Sequence, residues 1–213
     1  MHTDKKKFIE FCLFNEIIQL GNFTLKSGRN SPYFFNAGLF NTGKKINHLS
    51  EFYANAIIHA SLTFDILFGP AYKGIPLVVS TAMTLACQTN ASIPFCFNRK
   101  IAKDHGEGGL LIGAPLKGQV LLIDDVITAG TAIHESMNMI RTHGANLANI
   151  IIAFDRQEKG KTEKSAVQEI EETYQVRVCS IIQFNDLIEY VKENKTYQSF
   201  INSLETYRQQ YGI

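Results

Sequence analysis

Between residues 66 and 184, short uninterrupted apolar runs alternate with segments whose apolar residues recur at helical spacing. A strand that is apolar at successive positions is buried on both faces, and regular alternation of strands and helices favours a parallel sheet. The predicted strands are at 66–68, 93–97, 109–114, 119–124, 149–154 and 176–184, and the helices between them at 75–89, 131–143 and 163–173. The sequence therefore predicts an α/β fold, with a central parallel sheet flanked by helices on both faces.

The ends of the chain lie outside this alternation. Residues 4–20 have helical spacing, and residues 23–36 have β-prone ends around a turn-rich centre, which predicts a small hairpin-like arm. Further helices are predicted at 42–60, 186–193 and 196–209, and a polar, glycine-containing loop at 98–109. No linker or repeat interrupts the chain, so we expect one domain over 1–213, with the N-terminal helix and arm at about 1–40.

Composition excludes several classes of protein. The chain is 45% hydrophobic and 19% charged, which argues against disorder, and its net charge of +1 argues against general binding of nucleic acid. No apolar run approaches the roughly 18 residues that a membrane-spanning helix needs. The four cysteines are scattered without a C-x-x-C pair, as in reduced proteins. We expect a cytoplasmic protein with neither nucleic acid nor membrane as a partner.

The stretch "LLIDDVITAGTA" (121–132) carries the clearest chemical signal. A buried strand ends in Asp124 and Asp125, and a loop of small residues then leads into a helix. A helix start offers unpaired N–H groups to a phosphate, and Gly130 lets the backbone approach closely. The two carboxylates suit sugar hydroxyls instead. The alternative is a strand end with solvated acids, followed by Thr131 as the N-cap of the helix.

Other nucleotide-binding loops do not match. The sequence has no G-x-x-x-x-G-K-[ST], and "GEGGLL" (106–111) has Leu111 where the third glycine of a dinucleotide fingerprint belongs. The sequence thus disfavours both a P-loop and a dinucleotide-binding domain.

Three further segments concentrate cations or aromatic residues. "FGPAYKGIP" (68–76) is another strand end, and its lysine suits a diphosphate unless it is an ordinary surface lysine. Glycines follow the cations of 98–109, which is typical of a loop that closes over substrate, although a solvated charge run explains the cations alone. Arg156 follows the strand 149–154, and its guanidinium suits a carboxylate or a surface salt bridge.

The adjacent Phe34 and Phe35 belong to the predicted arm. Burial in the core is the ordinary expectation for both rings. Because neighbouring strand residues point to opposite faces, however, we expect one ring to turn away from the core, where it can stack on a flat ligand.

Residues 121–132 resemble the phosphoribosyl-diphosphate loop of the type I phosphoribosyltransferases. With 23–43, 68–76, 98–109 and 154–160 added, the whole chain resembles the bacterial orotate phosphoribosyltransferases. The resemblance implies that the phosphoribosyl group of 5-phospho-α-D-ribosyl 1-diphosphate is transferred to orotate, giving orotidine 5′-monophosphate and diphosphate in UMP biosynthesis. It also implies the fold of that family, with the N-terminal arm as a hood over the base.

The same resemblance implies roles for individual residues. The implied catalytic residues are Lys103, His105, Asp124 and Asp125. The implied phosphoribosyl-diphosphate contacts are Tyr72, Lys73, Arg99, Lys100, Lys103, His105, Asp124, Asp125, Val126, Ile127, Thr128, Ala129, Gly130, Thr131 and Ala132. The implied orotate contacts are Lys26, Phe34, Phe35, Thr128 and Arg156. The family also implies Mg²⁺ carried by the diphosphate, with no direct protein ligand, and a homodimer in which the lid loop 99–109 reaches the neighbouring site.

Two rival functions remain on the same fold. A phosphoribosyltransferase for another base shares the 121–132 loop, but a neutral purine gives the cations Lys26 and Arg156 no carboxylate to bind. A regulator that senses phosphoribosyl diphosphate is expected to have lost lid residues or to have gained a basic patch, and this sequence shows neither.

Overall fold

The computed structural model describes residues 3–25, 28–103, 109–128, 130–160 and 162–213, without the side chains of 102 and 103. Lys26, His105 and Ala129, together with the side chain of Lys103, therefore lie outside the described part of the chain.

A six-stranded sheet forms the centre of the molecule. Its strands are β3 (Ile66–Gly69), β4 (Phe95–Lys103), β5 (Gly109–Gly113), β6 (Gln119–Asp124), β7 (Asn146–Asp155) and β8 (Arg177–Gln183). Their order across the sheet is β5-β4-β3-β6-β7-β8. All neighbours pair in parallel except β4 and β5, which form an antiparallel edge. The predicted α/β fold with a central parallel sheet is confirmed, except that the edge strand β5 runs antiparallel to β4.

Helices cover both faces of this sheet. They are α1 (Thr3–Phe14), α2 (Gly43–His59), α3 (Gly74–Thr89), α4 (Thr131–Thr142), α5 (Ala166–Tyr174), α6 (Phe184–Glu193) and α7 (Ile201–Tyr211). Along β6, Leu121 and Ile123 join the core cluster under α1, α2, α3, α6 and α7, whereas Val120 and Leu122 join the cluster under α4 and α5. This alternation explains why β6 is apolar at successive positions. None of the described helices is both long and apolar enough to cross a bilayer.

The N-terminal arm differs in its boundaries from the prediction. α1 ends at Phe14, so the predicted helix 4–20 is wrong beyond that point. Glu16 has a positive φ of 59°, and β1 (Ile18–Thr24) pairs in antiparallel fashion with β2 (Asn30–Phe35). Pairing with β2 thus outweighs the helical spacing of the apolar residues at 17 and 18. The predicted hairpin, separate from the main sheet, is confirmed, but it begins earlier.

Two other predicted boundaries also change. Residues 98–103 continue β4 instead of beginning a loop, because they face β5, with Asn98 opposite Leu111 and Lys103 opposite Gly109. Polar residues are acceptable there because 98–103 extend beyond the part of β4 that pairs with β3 and so have a neighbouring strand on one side alone. Near the C-terminus, the predicted helix 196–209 divides into a 3-10 helix, Lys195–Phe200, and α7.

Candidate active site

Three neighbouring parallel strands end at the same edge of the sheet. β3 ends at Gly69, β6 at Asp124 and β7 at Asp155. Ligands of open α/β sheets bind at the carboxyl ends of the strands. Most of the residues singled out in the sequence follow directly after these three ends.

Asp124 and Asp125 are held rigidly at the end of β6. Both are buried, with 8% and 7% of their surfaces exposed. The backbone N–H of Asp125 donates to Oδ1 of Asp124 at 2.9 Å, and the hydroxyl of Tyr53 donates to the carbonyl of Asp124 at 2.8 Å. The N–H of Ala153 donates to the carbonyl of Asp125, also at 2.9 Å. Hydrogen bonds to the backbone of both residues therefore hold the two carboxyl groups in place.

The electrostatics of this pair are unusual. Burial raises the pKa of Asp124 to about 7, and the negative charge of Asp125 adds to this increase. The Nζ of Lys73 lies 2.6 Å from Oδ2 of Asp125. This cation is more than half exposed, so it stands at the border between the buried acids and solvent.

The loop that carries Lys73 is shaped by close backbone packing. A Cβ at Gly69 would lie 2.2 Å from the carbonyl oxygen of Gly74, so only glycine fits there. Oδ1 of Asn98 accepts a hydrogen bond from the N–H of Ala71 at 2.8 Å, and this ties the loop to β4. Tyr72 is 72% exposed, which leaves its ring open to a ligand.

The loop after Asp125 leads into α4. Val126 and Ile127 pack against the two core clusters, whereas Thr128 is exposed. Gly130, with a φ of +71°, is the N-cap of α4 and makes no side-chain cap hydrogen bond. The alternative with Thr131 as the N-cap is therefore wrong. The start of the helix lacks a side-chain cap, as an anion site requires.

A cavity of about 260 Å³ opens beside these groups. Its wall includes Tyr53, Tyr72, Lys73, Asp125 and Ala153. Because it joins the ends of β6 and β7 to the loop after β3, it brings together residues that are far apart in sequence.

The residues expected to contact a base lie on the hairpin and after β7. Phe34 is 37% exposed and its ring lies 5.7 Å from that of Phe23, whereas Phe35 packs against Phe154 at 5.4 Å. One ring thus turns away from the core, as predicted. Arg156 does not stand alone: its Nη2 lies 2.8 Å from Oε1 of Glu158, and both side chains are largely buried.

The segment 99–109 is only partly described. Nη1 of Arg99 donates to the carbonyl of Gly109 at 3.0 Å, and Lys100 lies 3.4 Å from Glu135 of α4. Lys100 thus reaches α4, whereas Arg99 is bonded to the paired strand β5.

Sequence reasoning missed the groups that support the site from behind. Tyr53, Asn98, Tyr33 and Glu158 were not singled out. Tyr53, Asn98 and Tyr33 meet the site through contacts between distant parts of the chain, such as the one between Tyr53 and Asp124, whereas Glu158 lies two residues from Arg156. The "DRQEKG" segment contained Glu158, but nothing in the sequence showed which neighbour it faces.

Comparison with known proteins identifies the family. Residues 39–181 match the phosphoribosyl transferase domain. The chain is 56% identical over 213 residues to the orotate phosphoribosyltransferase of Actinobacillus pleuropneumoniae serotype 5b, covering all of both proteins. The chain belongs to the orotate phosphoribosyltransferase family. The resemblance seen in the sequence is confirmed.

Solved structures agree with this membership. The 1.9 Å crystal structure of the orotate phosphoribosyltransferase of Francisella tularensis has a TM-score of 0.88 and 46% identity, covering 97% of this chain and all of the other. The Mycobacterium tuberculosis H37Rv orotate phosphoribosyltransferase, in complex with 5-phospho-alpha-D-ribosyl 1-diphosphate, has a TM-score of 0.63 at 18% identity, covering 86% of this chain and 98% of its own. At that identity the second likeness concerns the fold alone.

Proposed function

We propose that this member of the orotate phosphoribosyltransferase family transfers the phosphoribosyl group of phosphoribosyl diphosphate to orotate, releasing diphosphate, as a step of de novo UMP biosynthesis. The observation that carries the proposal is the full-length match to a curated orotate phosphoribosyltransferase at 56% identity. The arrangement of acids, lysine and open helix start at one sheet edge supports it chemically. We propose that residues 1–213 form one phosphoribosyltransferase domain. We also propose that the protein acts in the cytoplasm.

The acids and the following loop hold the phosphoribosyl group. Asp124 and Asp125 accept hydrogen bonds from the ribose hydroxyls, and residues 126–132 hold the 5′-phosphate through backbone N–H groups and the hydroxyls of Thr128 and Thr131. The raised pKa of Asp124 supports this role, because a buried acid of this kind gains from any partner that donates to its charged form.

Cations neutralise the leaving diphosphate. Tyr72 and Lys73 lie on the exposed side of the acids, Lys100 lies beside Glu135 of α4, and Arg99 precedes it on β4. Lys103 and His105 complete this group by family resemblance. Because the bond from C1 to the diphosphate breaks ahead of the new bond, charge stabilisation and exclusion of water replace a covalent nucleophile.

We propose that Mg²⁺ enters this site bound to the diphosphate. Mg²⁺ commonly keeps few protein ligands beside substrate phosphates, so the diphosphate can carry the ion without a direct protein ligand. Within the described ranges, no group of three or more His, Cys, Asp or Glu side chains could hold a metal ion. When bound, the ion adds positive charge to the diphosphate.

The base site lies between the hairpin and the end of β7. We propose that Phe34 stacks on the orotate ring and that Phe35 supports it from the core. Arg156 and Thr128, together with Lys26, donate to the ring substituents. Residues 1–40 thus act as a hood over the base.

We propose a homodimer in which the lid loop 99–109 reaches the neighbouring site. Ile101 on β4 is 82% exposed and Met83 on α3 is 64% exposed, so apolar surface is available for a second copy. The test mixes an inactive Lys103→Ala subunit with an inactive Asp125→Asn subunit. Recovery of activity above that of either parent supports shared sites, and no recovery contradicts them.

The first experiment supplies phosphoribosyl diphosphate and Mg²⁺ with orotate, uracil, hypoxanthine or adenine, and follows loss of the free base. Consumption of orotate alone supports the proposal. Consumption of another base supports the residues assigned to the phosphoribosyl group and contradicts those assigned to orotate. Tight binding of phosphoribosyl diphosphate without turnover of any base favours a regulator on the same fold.

A further inference from the structure

We propose that Glu158 is a positioning residue that fixes the guanidinium of Arg156 for orotate. The inference rests on the proposed function, because it assigns the orientation of a residue of the base site. Glu158 does not touch the base itself in this scheme and acts only through Arg156.

The geometry of the pair fixes one edge of the guanidinium. Nε and Nη2 of Arg156 both donate to Oε1 of Glu158, at 3.1 and 2.8 Å. Nε also lies 3.2 Å from the hydroxyl of Tyr33. An arginine has five N–H donors, so three remain without a hydrogen-bond partner in the described part of the chain. Those three are the donors available to a ligand.

Glu158 is itself held by Tyr33. The hydroxyl of Tyr33 donates to the same Oε1 at 2.6 Å. Tyr33 is fully buried, and its ring stacks on Phe184 at 4.7 Å and meets Phe154 edge-on at 5.7 Å. The carboxylate therefore bridges a rigid core residue of the hairpin and the arginine.

The C-terminal segment fixes the backbone of Glu158. Glu158 forms a β-bridge with Gly212, and the N–H of the next residue, Lys159, donates to the carbonyl of Tyr211 at 2.8 Å. The hairpin joins this arrangement, because Nη1 of Arg29 donates to the carbonyl of Lys159 at 3.0 Å. Three distant parts of the chain thus converge on one short loop.

Burial keeps the guanidinium of Arg156 in this orientation. Side-chain exposure is 19% for Arg156 and 12% for Glu158. Burial acts to lower the pKa of Arg156, but the charges of Tyr33 and Glu158 and the hydrogen bond to Glu158 raise it overall. The arginine stays charged, and rotating away would leave Glu158 buried without its partner.

The pair also changes how Arg156 recognises a ligand. With Glu158 beside it, the guanidinium offers little unbalanced charge and works as a set of oriented donors. Selectivity then comes from the direction of these donors. A carboxylate with two coplanar oxygens matches such a planar donor set.

The test compares three variants with the wild type: Glu158→Ala, Glu158→Gln and, as a matched control, Glu163→Gln. Glu163 belongs to the same segment and pairs with Lys159, but its side chain is 89% exposed. KM for orotate, KM for phosphoribosyl diphosphate, kcat and the melting temperature are measured for each. The wild type is assayed first, because absence of orotate turnover there overturns the proposed function rather than this inference.

For Glu158→Ala we expect KM for orotate to rise about 10-fold or more, with KM for phosphoribosyl diphosphate within about twofold. Glu158→Gln keeps the accepting oxygen and is expected to stay within about threefold of the wild type. Glu163→Gln is expected to match the wild type. Equal changes in both KM values, an unchanged KM for orotate, or a Gln variant as impaired as the Ala variant overturn the inference.

A second variant covers the case in which Glu158→Ala does not fold. Tyr33→Phe keeps the stacked ring and removes only the hydroxyl that holds both Glu158 and the Nε of Arg156. We expect KM for orotate to rise about threefold, with KM for phosphoribosyl diphosphate unchanged. An unchanged KM for orotate in a folded Tyr33→Phe protein overturns the inference.

Discussion

The two halves of the candidate active site are built in different ways. The phosphoribosyl half is largely local, since one strand end, one loop and one helix start supply Asp124, Asp125 and the N-terminus of α4. The base half is assembled from the hairpin, the end of β7 and the C-terminus, which meet at Glu158. A motif in the sequence describes the first half, whereas only long-range contacts define the second.

The halves also differ in how well their charges are balanced. Asp124 is a buried acid with a raised pKa, and Lys73 is exposed beside its neighbour. Arg156, in contrast, is buried with a bonded carboxylate and a tyrosine hydroxyl. Asp124 therefore gains from a partner that donates to its charged form, whereas Arg156 is already held by partners within the chain.

The largest expected effect concerns the phosphoribosyl half. Asp125→Asn removes a charged acceptor for the ribose hydroxyls and the partner of Lys73, and charge-assisted hydrogen bonds of this kind contribute about 1.5–3 kcal/mol each. We expect kcat/KM for phosphoribosyl diphosphate to fall by about 100-fold or more. Steady-state kinetics measure this, with Glu193→Gln at the exposed end of α6 as a control. A loss below threefold contradicts the assigned role.

The second prediction concerns pH. Since Asp124 must be ionised to accept from ribose, and its pKa is raised to about 7, kcat/KM for phosphoribosyl diphosphate should rise with pH up to that value. Below that pH we expect kcat/KM for phosphoribosyl diphosphate to fall about tenfold for each unit by which the pH is lowered. The charged groups that act on this carboxyl are Asp125 and Lys73, and the hydroxyl of Tyr53 donates to the backbone carbonyl of Asp124. Asp124→Asn should abolish this dependence of kcat/KM on pH. If the dependence persists in that variant, it does not arise from Asp124.

The same raised pKa has a consequence for stability. The folded protein binds the proton of Asp124 more tightly than the unfolded chain, so this group lowers stability as pH rises from about 4 toward 7. The melting temperature of Asp124→Asn relative to the wild type should therefore increase between pH 5 and pH 8. Thermal unfolding at both pH values measures the difference, and a constant difference contradicts it.

A smaller effect tests the loop after β3. Asn98→Ala leaves the N–H of Ala71 without its acceptor, at a cost of about 1–3 kcal/mol for a buried group. We expect KM for phosphoribosyl diphosphate to rise about 5- to 10-fold and KM for orotate to remain within twofold. Asn55→Ala, which removes an exposed contact between α2 and Gln88 of α3, is the control. Equal changes in both KM values would show that Asn98 supports the whole domain rather than this loop.

The smallest kinetic effect separates the two phenylalanines. Phe34→Ala removes exposed stacking worth about 0.5–1.5 kcal/mol, so KM for orotate should rise about threefold to tenfold with little change in stability. Phe35→Ala instead removes packing on Phe154 and should lower the free energy of unfolding by about 3 kcal/mol. Kinetics and denaturant unfolding on both variants measure the contrast. If Phe34→Ala instead lowers stability and Phe35→Ala raises KM for orotate, the two rings do not have the roles proposed for them.

The sequence by itself determined the sheet, the α/β alternation and the phosphoribosyl half. Continuous apolar runs report burial on both faces, and strand end, loop and helix start follow one another within a dozen residues, so local rules suffice. It did not give the extent of α1 or β4. At 18–20 and 98–103, pairing with β2 and β5 decided the conformation against the local pattern.

Only the tertiary structure decided how the base half is organised. The sequence pointed to Arg156, Phe34 and Phe35, but their surroundings depend on contacts such as that between Tyr33 and Glu158, 125 residues apart. No periodicity records such a contact, because it arises from how the hairpin and the C-terminal segment pack on the sheet. Charge balance at Arg156 and Asp124 follows from burial, and burial of a polar group is a property of the folded chain.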